Sequence, residues 1–172
     1  TNLVGSYNAD NVMAALAVGQ HFGVALEEGV AAIEAYVPSN NRSQMTKTER
    51  NTLIVDAYNA NPTSMAAALE NFSNVDAEVK VALLGDMLEL GDESLGEHVT
   101  IIRSAASRGF AKVCFVGKEF MKASSEATFD SALFFETSDA LAQWLHENPL
   151  AGATVLIKGS RGTRMEKTIA EL

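Results

Sequence analysis

Three short segments concentrate side chains that a simple turn does not need. Asp56-Ala57-Tyr58-Asn59-Ala60-Asn61-Pro62 places a carboxylate, a phenol and two amides in one stretch. Amide side chains donate and accept hydrogen bonds together, which suits a ligand carrying both an ammonium and a carboxylate, such as an amino acid or a dipeptide. Part of this segment reads equally as a helix entry, with Asn61 as N-cap and Pro62 in the first helical position. That reading leaves Asp56, Tyr58 and Asn59 unexplained. Asp86-Met87-Leu88-Glu89-Leu90-Gly91 offers two carboxylates, Asp86 and Glu89, able to hold a cation or an ammonium group. The plainer alternative is a solvated loop that turns at Gly91. Lys158-Gly159-Ser160-Arg161-Gly162 sets two cations around a hydroxyl, just before an expected helix. Lys158, Ser160 and Arg161 with backbone N–H groups would make an anion site for a carboxylate or phosphate. A surface turn with solvated charges is the alternative, but cations at a helix N-terminus oppose its dipole unless an anion is present. Asn8 and Asn11 share one helix face, or Asn8 is an N-cap with Asn11 merely exposed. Arg42 alone reads as a solvated arginine.

What is missing narrows the chemistry. The Walker pattern GxxxxGK[ST] does not occur; Gly117-Lys118 comes nearest, but Lys112 holds the earlier glycine position and Glu119 replaces Ser/Thr. No GxGxxG follows the first strand, no GxSxG elbow is present, and His21, His98 and His146 lack zinc-ligand spacing. The sequence therefore offers binding side chains without a self-contained catalytic engine, and no metal site of its own.

These segments need a scaffold, and the hydrophobic pattern supplies one. Residues 8–19 and 26–36 read as helices, followed by a polar break at Val37-Pro38-Ser39-Asn40-Asn41. A domain boundary is expected there, with 1–37 as the tail of one domain and 38–172 as another. Beyond it, nearly continuous apolar runs at 52–56, 79–85, 112–117, 132–136 and 153–158 alternate with helical patterns at 63–72, 94–108, 119–125, 138–146 and 163–172. An extra strand within 42–51 would turn at Glu49-Arg50-Asn51. Alternation of this kind predicts an α/β fold with a mostly parallel sheet and helices on both faces. In such sheets ligands gather outside the carboxyl ends of the strands, where all three polar segments fall.

The net charge of −9 disfavours nucleic acid as a partner. Cys114, the one cysteine, lies in an apolar strand and reads as a buried thiol. No apolar stretch is long enough to span a bilayer and no signal peptide opens the chain, so no membrane partner and a cytoplasmic location are expected. The first residue is not Met, and the opening residues read as the middle of a longer protein.

Taken together, Gly5–Ala15, Arg42, Asp56–Met65, Leu84–Gly91 with His98, and Lys158–Glu166 resemble the Mur ligase family in order and spacing along essentially the whole chain. Within the family, Tyr-Asn-Ala-Asn-Pro and Gly-Asp-Met-x-Glu-Leu-Gly resemble the branch that adds D-alanyl-D-alanine to UDP-MurNAc-tripeptide. The Asn-x-x-Asn helix is shared more widely. The resemblance implies an ATP-dependent amide ligase of peptidoglycan synthesis, working through an acyl phosphate, with ATP and Mg²⁺ held mainly by a central domain. Residues 1–37 would be the helical end of that domain, and 38–172 the Rossmann-like C-terminal domain that binds the dipeptide and closes over ATP. It assigns Asn8, Asn11, Arg42 and Asp56 to ATP. It assigns Tyr58, Asn59, Asn61, Lys158, Ser160 and Arg161 to substrate, to which Asp86 and Glu89 are added on their own chemistry, and it implies that the chain is inactive without its other domains. Tyr7 departs from the family, which often has His there. The competing expectations are another amino acid ligase of the Mur or folylpolyglutamate type, and a non-enzymatic module that binds a small metabolite.

Overall fold

The computed structural model describes residues 8–36 and 44–172. Tyr7, Arg42 and the boundary expected at 37/38 lie outside the described residues. Helices α1 (Asn8–His21) and α2 (Leu26–Ala35) pack on each other, joined by a turn in which Gly23 takes φ +86°. Gly29 lets the helices approach, since a Cβ there would lie 3.1 Å from Leu16 Cδ2.

From residue 44 the chain builds an α/β layer structure. Its sheet has the order β1-β2-β6-β3-β4-β5. The strands are β1 (Gln44–Lys47), β2 (Thr52–Asp56), β3 (Lys80–Gly85), β4 (Lys112–Val116), β5 (Ala132–Phe135) and β6 (Thr154–Lys158). All neighbours pair in parallel except β1 with β2. The β1–β2 connection is the turn expected at 49–51, and Thr48 Oγ1 accepts the N–H of Asn51 there. Helices α3 (Pro62–Ser73), α4 (Ser94–Ala106), α5 (Lys118–Ala123) and α6 (Ser138–Glu147) link the parallel strands.

Successive strand side chains point to opposite faces, and both faces are covered. Ile54, Ala82, Leu84, Val113, Phe115 and Leu156 pack with Met65, Leu69 and Phe72 of α3, Ile102 of α4 and Phe120 of α5. Leu53, Val55, Leu83, Val116 and Ile157 pack with Leu141 and Leu145 of α6 and with Met165 and Leu172. That double burial is why the strands read as unbroken apolar runs. Cys114 is part of the second core, where burial pushes its thiol up to about 12.

The helix expected over 163–172 differs in kind. Two 3₁₀ segments, Arg161–Thr163 and Met165–Glu171, flank Arg164, whose φ of 53° interrupts a continuous right-handed helix. The end of the chain is fastened to the β1–β2 turn, with Asn51 Nδ2 and Thr48 Oγ1 donating to the Leu172 carbonyl at 2.6 and 2.9 Å. Among the described residues, no helix is long and apolar enough to cross a membrane.

One glycine is demanded by the scaffold. Gly117 ends β4 with φ +124°, and a Cβ there would lie 2.2 Å from Asp86 Cγ. Gly117→Ala should therefore destabilise the fold by about 2 kcal/mol or more, since overpacking and left-handed strain add. Urea denaturation of the two proteins checks this, and equal midpoints would contradict it.

Candidate functional site

Because β2, β3, β4 and β6 run parallel, their carboxyl ends share one rim of the sheet, and the segments that follow them meet there. Ser160 makes the junction. Its Oγ donates to the Ala60 carbonyl (3.2 Å) and accepts the N–H of Leu88 (3.0 Å), while its own N–H donates to the Asp86 carbonyl (3.0 Å). One buried residue thus fastens the loops after β2, β3 and β6 together.

The sheet register sets the next contact. Asp56 and Lys158 are partners across β2 and β6. Lys158 Nζ donates to Asp56 Oδ2 at 2.6 Å and to the Asn59 carbonyl at 3.4 Å, with the lysine side chain 2 % exposed and the aspartate 18 %. The two side chains assigned from sequence to different ligands are therefore paired with each other. The strand order, with β6 inserted beside β2, is what the sequence did not reveal.

The remaining members of the Asp56–Pro62 segment divide. Asn61 caps α3, accepting the N–H of Ser64 at 2.8 Å, while its own N–H donates to Ser64 Oγ, and Pro62 opens the helix. The helix-entry reading thus accounts for Asn61. Tyr58 and Asn59 instead stand exposed at the rim. Asn59 Oδ1 accepts the N–H of Ala60, and the Arg161 guanidinium sits 5.6 Å from the centre of the Tyr58 ring. An arginine over an aromatic face, with an amide beside it, remains able to receive a carboxylate. Arg161 lies in a 3₁₀ segment of three residues, so the α-helix N-terminus expected there is absent and the anion-binding capacity rests on the guanidinium.

Asp86 faces inward, 3 % exposed. Its carboxylate accepts the N–H groups of Glu119 (3.0 Å) and Phe120 (2.9 Å) at the start of α5. Burial raises its pKa above the ordinary 3.8, against the lowering effect of those two N–H groups. The carboxylate thus serves to hold α5, a role the sequence reading did not give it. Glu89 is exposed and takes φ 68°. His98, fully buried, stands behind the loop, with Nε2 3.1 Å from the N–H of Met87 and Nδ1 2.7 Å from the Ser94 carbonyl.

An open cleft of about 370 Å³ continues from this rim across the ends of β3, β4 and β5. Leu88, Lys118, Glu119, Thr137, Gly162 and Arg164 are among its lining. Arg164 was missed by the sequence reading, which picked out Gly117-Lys118 among the segments that follow the strands and as the nearest approach to a Walker motif, but gave Lys118 no ligand. Glu119, ion-paired with Lys122 at 2.7 Å and hydrogen-bonded to Ser94, has its pKa lowered, chiefly by the Lys122 hydrogen bond. The cleft thereby offers both signs of charge. Among the described residues no group of three or more His, Cys, Asp or Glu could hold a metal ion. On α1, Asn11 Nδ2 donates to Asn8 Oδ1 at 3.2 Å, which places both amides on one exposed face.

Comparison with known proteins gives a consistent result. Residues 41–161 match the family model described as Mur ligase, glutamate ligase domain. The UDP-N-acetylmuramoyl-tripeptide--D-alanyl-D-alanine ligase of Treponema pallidum is 34% identical over 96% of this chain and 37% of its own length. The Bacillus subtilis protein of the same name is 32% identical over 99% of this chain and 38% of its own length. A crystal structure of MurF from Acinetobacter baumannii superposes with a TM-score of 0.83 at 30% identity, covering 98% of this chain and 38% of that one. The chain thus spans little more than a third of the length of the relatives it matches.

The Asp56–Lys158 pair yields a test. Asp56→Ala should cost about 3 kcal/mol, because it strands a buried ammonium, and adding Lys158→Met should recover most of that loss. A double-mutant cycle in urea measures both, and additive losses would contradict the pairing.

Proposed function

Since the chain belongs to the Mur ligase family, we propose that it is the C-terminal, substrate-presenting domain of an ATP-dependent ligase that joins D-alanyl-D-alanine to UDP-MurNAc-tripeptide. The observation that carries the proposal is the rim fastened by Ser160, which aligns Tyr58, Asn59 and Arg161 beside a cleft of mixed charge. Relatives that match 96% and 99% of this chain bear that ligase's name.

The overall reaction on this reading has two steps. ATP phosphorylates the terminal carboxylate of the tripeptide, giving an acyl phosphate and ADP. The neutral amine of the dipeptide then attacks the acyl carbon, the acyl C–O bond to phosphate breaks as the amide bond forms, and inorganic phosphate leaves with the bonding electrons and the proton that the amine gives up. Positioning the amine is worth several kcal/mol of barrier in such reactions. The Arg161 guanidinium, steadied over Tyr58, would take the dipeptide carboxylate, and the Asn59 amide would orient the peptide unit. The cleft toward Lys118 and Arg164 would accommodate the rest of the dipeptide. Closing the rim against the other domains would keep water from the acyl phosphate.

Asp56 and Lys158 act on this reading as a buried strut under the Asn59 loop. ATP contact by Asn8, Asn11, Arg42 and Asp56 is part of the same proposal. Asp56 would reach ATP through whatever part of its carboxylate Lys158 leaves available. Mg²⁺, which would neutralise phosphate charge, is assigned on this reading to the central domain that the family resemblance implies. Asn61, Asp86 and Ser160 support the site on this reading, and Glu89, exposed on the loop after β3, is assigned to the dipeptide ammonium.

The test uses the full-length enzyme. Arg161→Ala should raise the dipeptide KM roughly ten- to hundredfold, the worth of a charge-assisted hydrogen bond, with the ATP KM unchanged. Asn59→Ala should act in the same direction with a smaller effect. Unchanged dipeptide kinetics in both variants would refute the site, and ligation of glutamate in place of D-alanyl-D-alanine would refute the substrate.

A further inference from the structure

His98 is fully buried on α4, far from solvent, yet its ring touches the backbone of the rim. Nδ1 lies 2.7 Å from the Ser94 carbonyl, which can only accept, so the ring proton sits on Nδ1. Nε2 then carries a lone pair and accepts the N–H of Met87 at 3.1 Å. Phe120 packs against the ring edge-to-face at 4.5 Å and fixes its plane. The histidine is thereby held as one tautomer, with its acceptor aimed at one backbone amide.

That amide starts a short chain of contacts. The next N–H, of Leu88, donates to Ser160 Oγ, and Ser160 Oγ donates to the Ala60 carbonyl beside Asn59. Leu88 also lines the cleft and lies so close to Gly162 that a Cβ there would be 2.7 Å from Leu88 Cδ1. Gly162 follows Arg161. The Met87–Leu88 segment therefore joins His98 to Ser160 through two successive backbone N–H groups, and the Leu88 side chain packs against Gly162, the residue after Arg161.

We propose that His98 is a positioning residue for the amine substrate, acting through the Met87 N–H and requiring its neutral ring. This deepens the reading given under Proposed function and rests on it for the identity of the amine. The charged groups facing the ring are Asp86 from the β3 loop, with Oδ1 3.6 Å from Nε2, and Glu119 with its partner Lys122 from α5. A proton added at Nε2 would convert the acceptor into a donor directed at Asp86 and leave the Met87 N–H without a partner. The ring can serve Met87 or Asp86, but not both through one nitrogen. Either arrangement keeps His98 buried, so the difference falls on the loop.

Two substitutions separate the two ring nitrogens. The Gln side chain places an oxygen near the Nε2 position and keeps an acceptor for Met87. The Asn side chain places its amide near the Nδ1 position, keeping the donor to Ser94 and losing the acceptor. In the full-length enzyme, His98→Asn should lower kcat/KM for the amine substrate roughly tenfold or more, with the ATP KM unchanged, and His98→Gln should restore most of it. Amide hydrogen exchange at Met87 and Leu88 should accelerate by a similar factor in His98→Asn and stay near wild type in His98→Gln. Thermal melts of both variants control for folding.

Equal losses in the two variants, tracking their melting temperatures, would show a merely structural histidine and overturn the proposal. So would wild-type exchange and kinetics in both. A wild-type enzyme that ligates a different amine would overturn the reading of the substrate instead, while the Gln and Asn comparison, made with that amine and by exchange, still decides the role of His98.

Discussion

Ser160 Oγ donates to the loop after β2 and accepts from the loop after β3, which the Ser160 N–H binds as well. Ser160 itself is buried, and a backbone donor or acceptor left without a partner there would cost about 1–3 kcal/mol. The arrangement is possible only because β6 lies between β2 and β3 in the sheet, which puts the residue two beyond its end within reach of both neighbouring loops. Gly159 permits the approach, since a Cβ there would meet the Gly85 backbone at 2.9 Å. The exposed members of the rim, Tyr58, Asn59 and Arg161, take their places from this junction.

Around it the molecule invests buried polarity where a purely structural domain would use apolar packing. Lys158 and Asp56 form an ion pair whose desolvation offsets much of its attraction. Asp86 keeps its carboxylate almost fully buried to hold α5, at the cost of a raised pKa, and Gly117 exists in the form it does to leave room for that carboxylate. Such groups contribute little net stability, but their hydrogen bonds are directional and select which backbone groups they hold. Asp86, Lys158 and Ser160 are buried at the carboxyl ends of the strands, while the strand interiors on both faces are apolar.

Much of the fold was legible in the sequence because both sheet faces are buried. Runs such as Val81–Leu84 and Val113–Val116 then have no polar alternation to confuse, and the intervening patterns resolve as helices. The end of the chain was misread because its composition favours a helix while Arg164 in the left-handed region forbids a continuous one. At the site, the sequence located the right segments but could not assign partners within them. Whether Lys158 faces a ligand or Asp56 depends on which strand lies beside β6, a non-local fact. Asn61 was legible as a cap because capping is local. His98 was visible only as part of a motif, since its contact with the Met87 N–H comes from α4 packing against the β3 loop.

The account stands on the claim that the Ser160 hydroxyl holds the rim in working order. The direct measurement is steady-state kinetics of Ser160→Ala in the full-length enzyme, varying the amine and ATP separately at a temperature where the variant is fully folded. The account predicts a fall of roughly tenfold in kcat/KM for the amine with the ATP KM preserved. Kinetics indistinguishable from wild type for both substrates would contradict it.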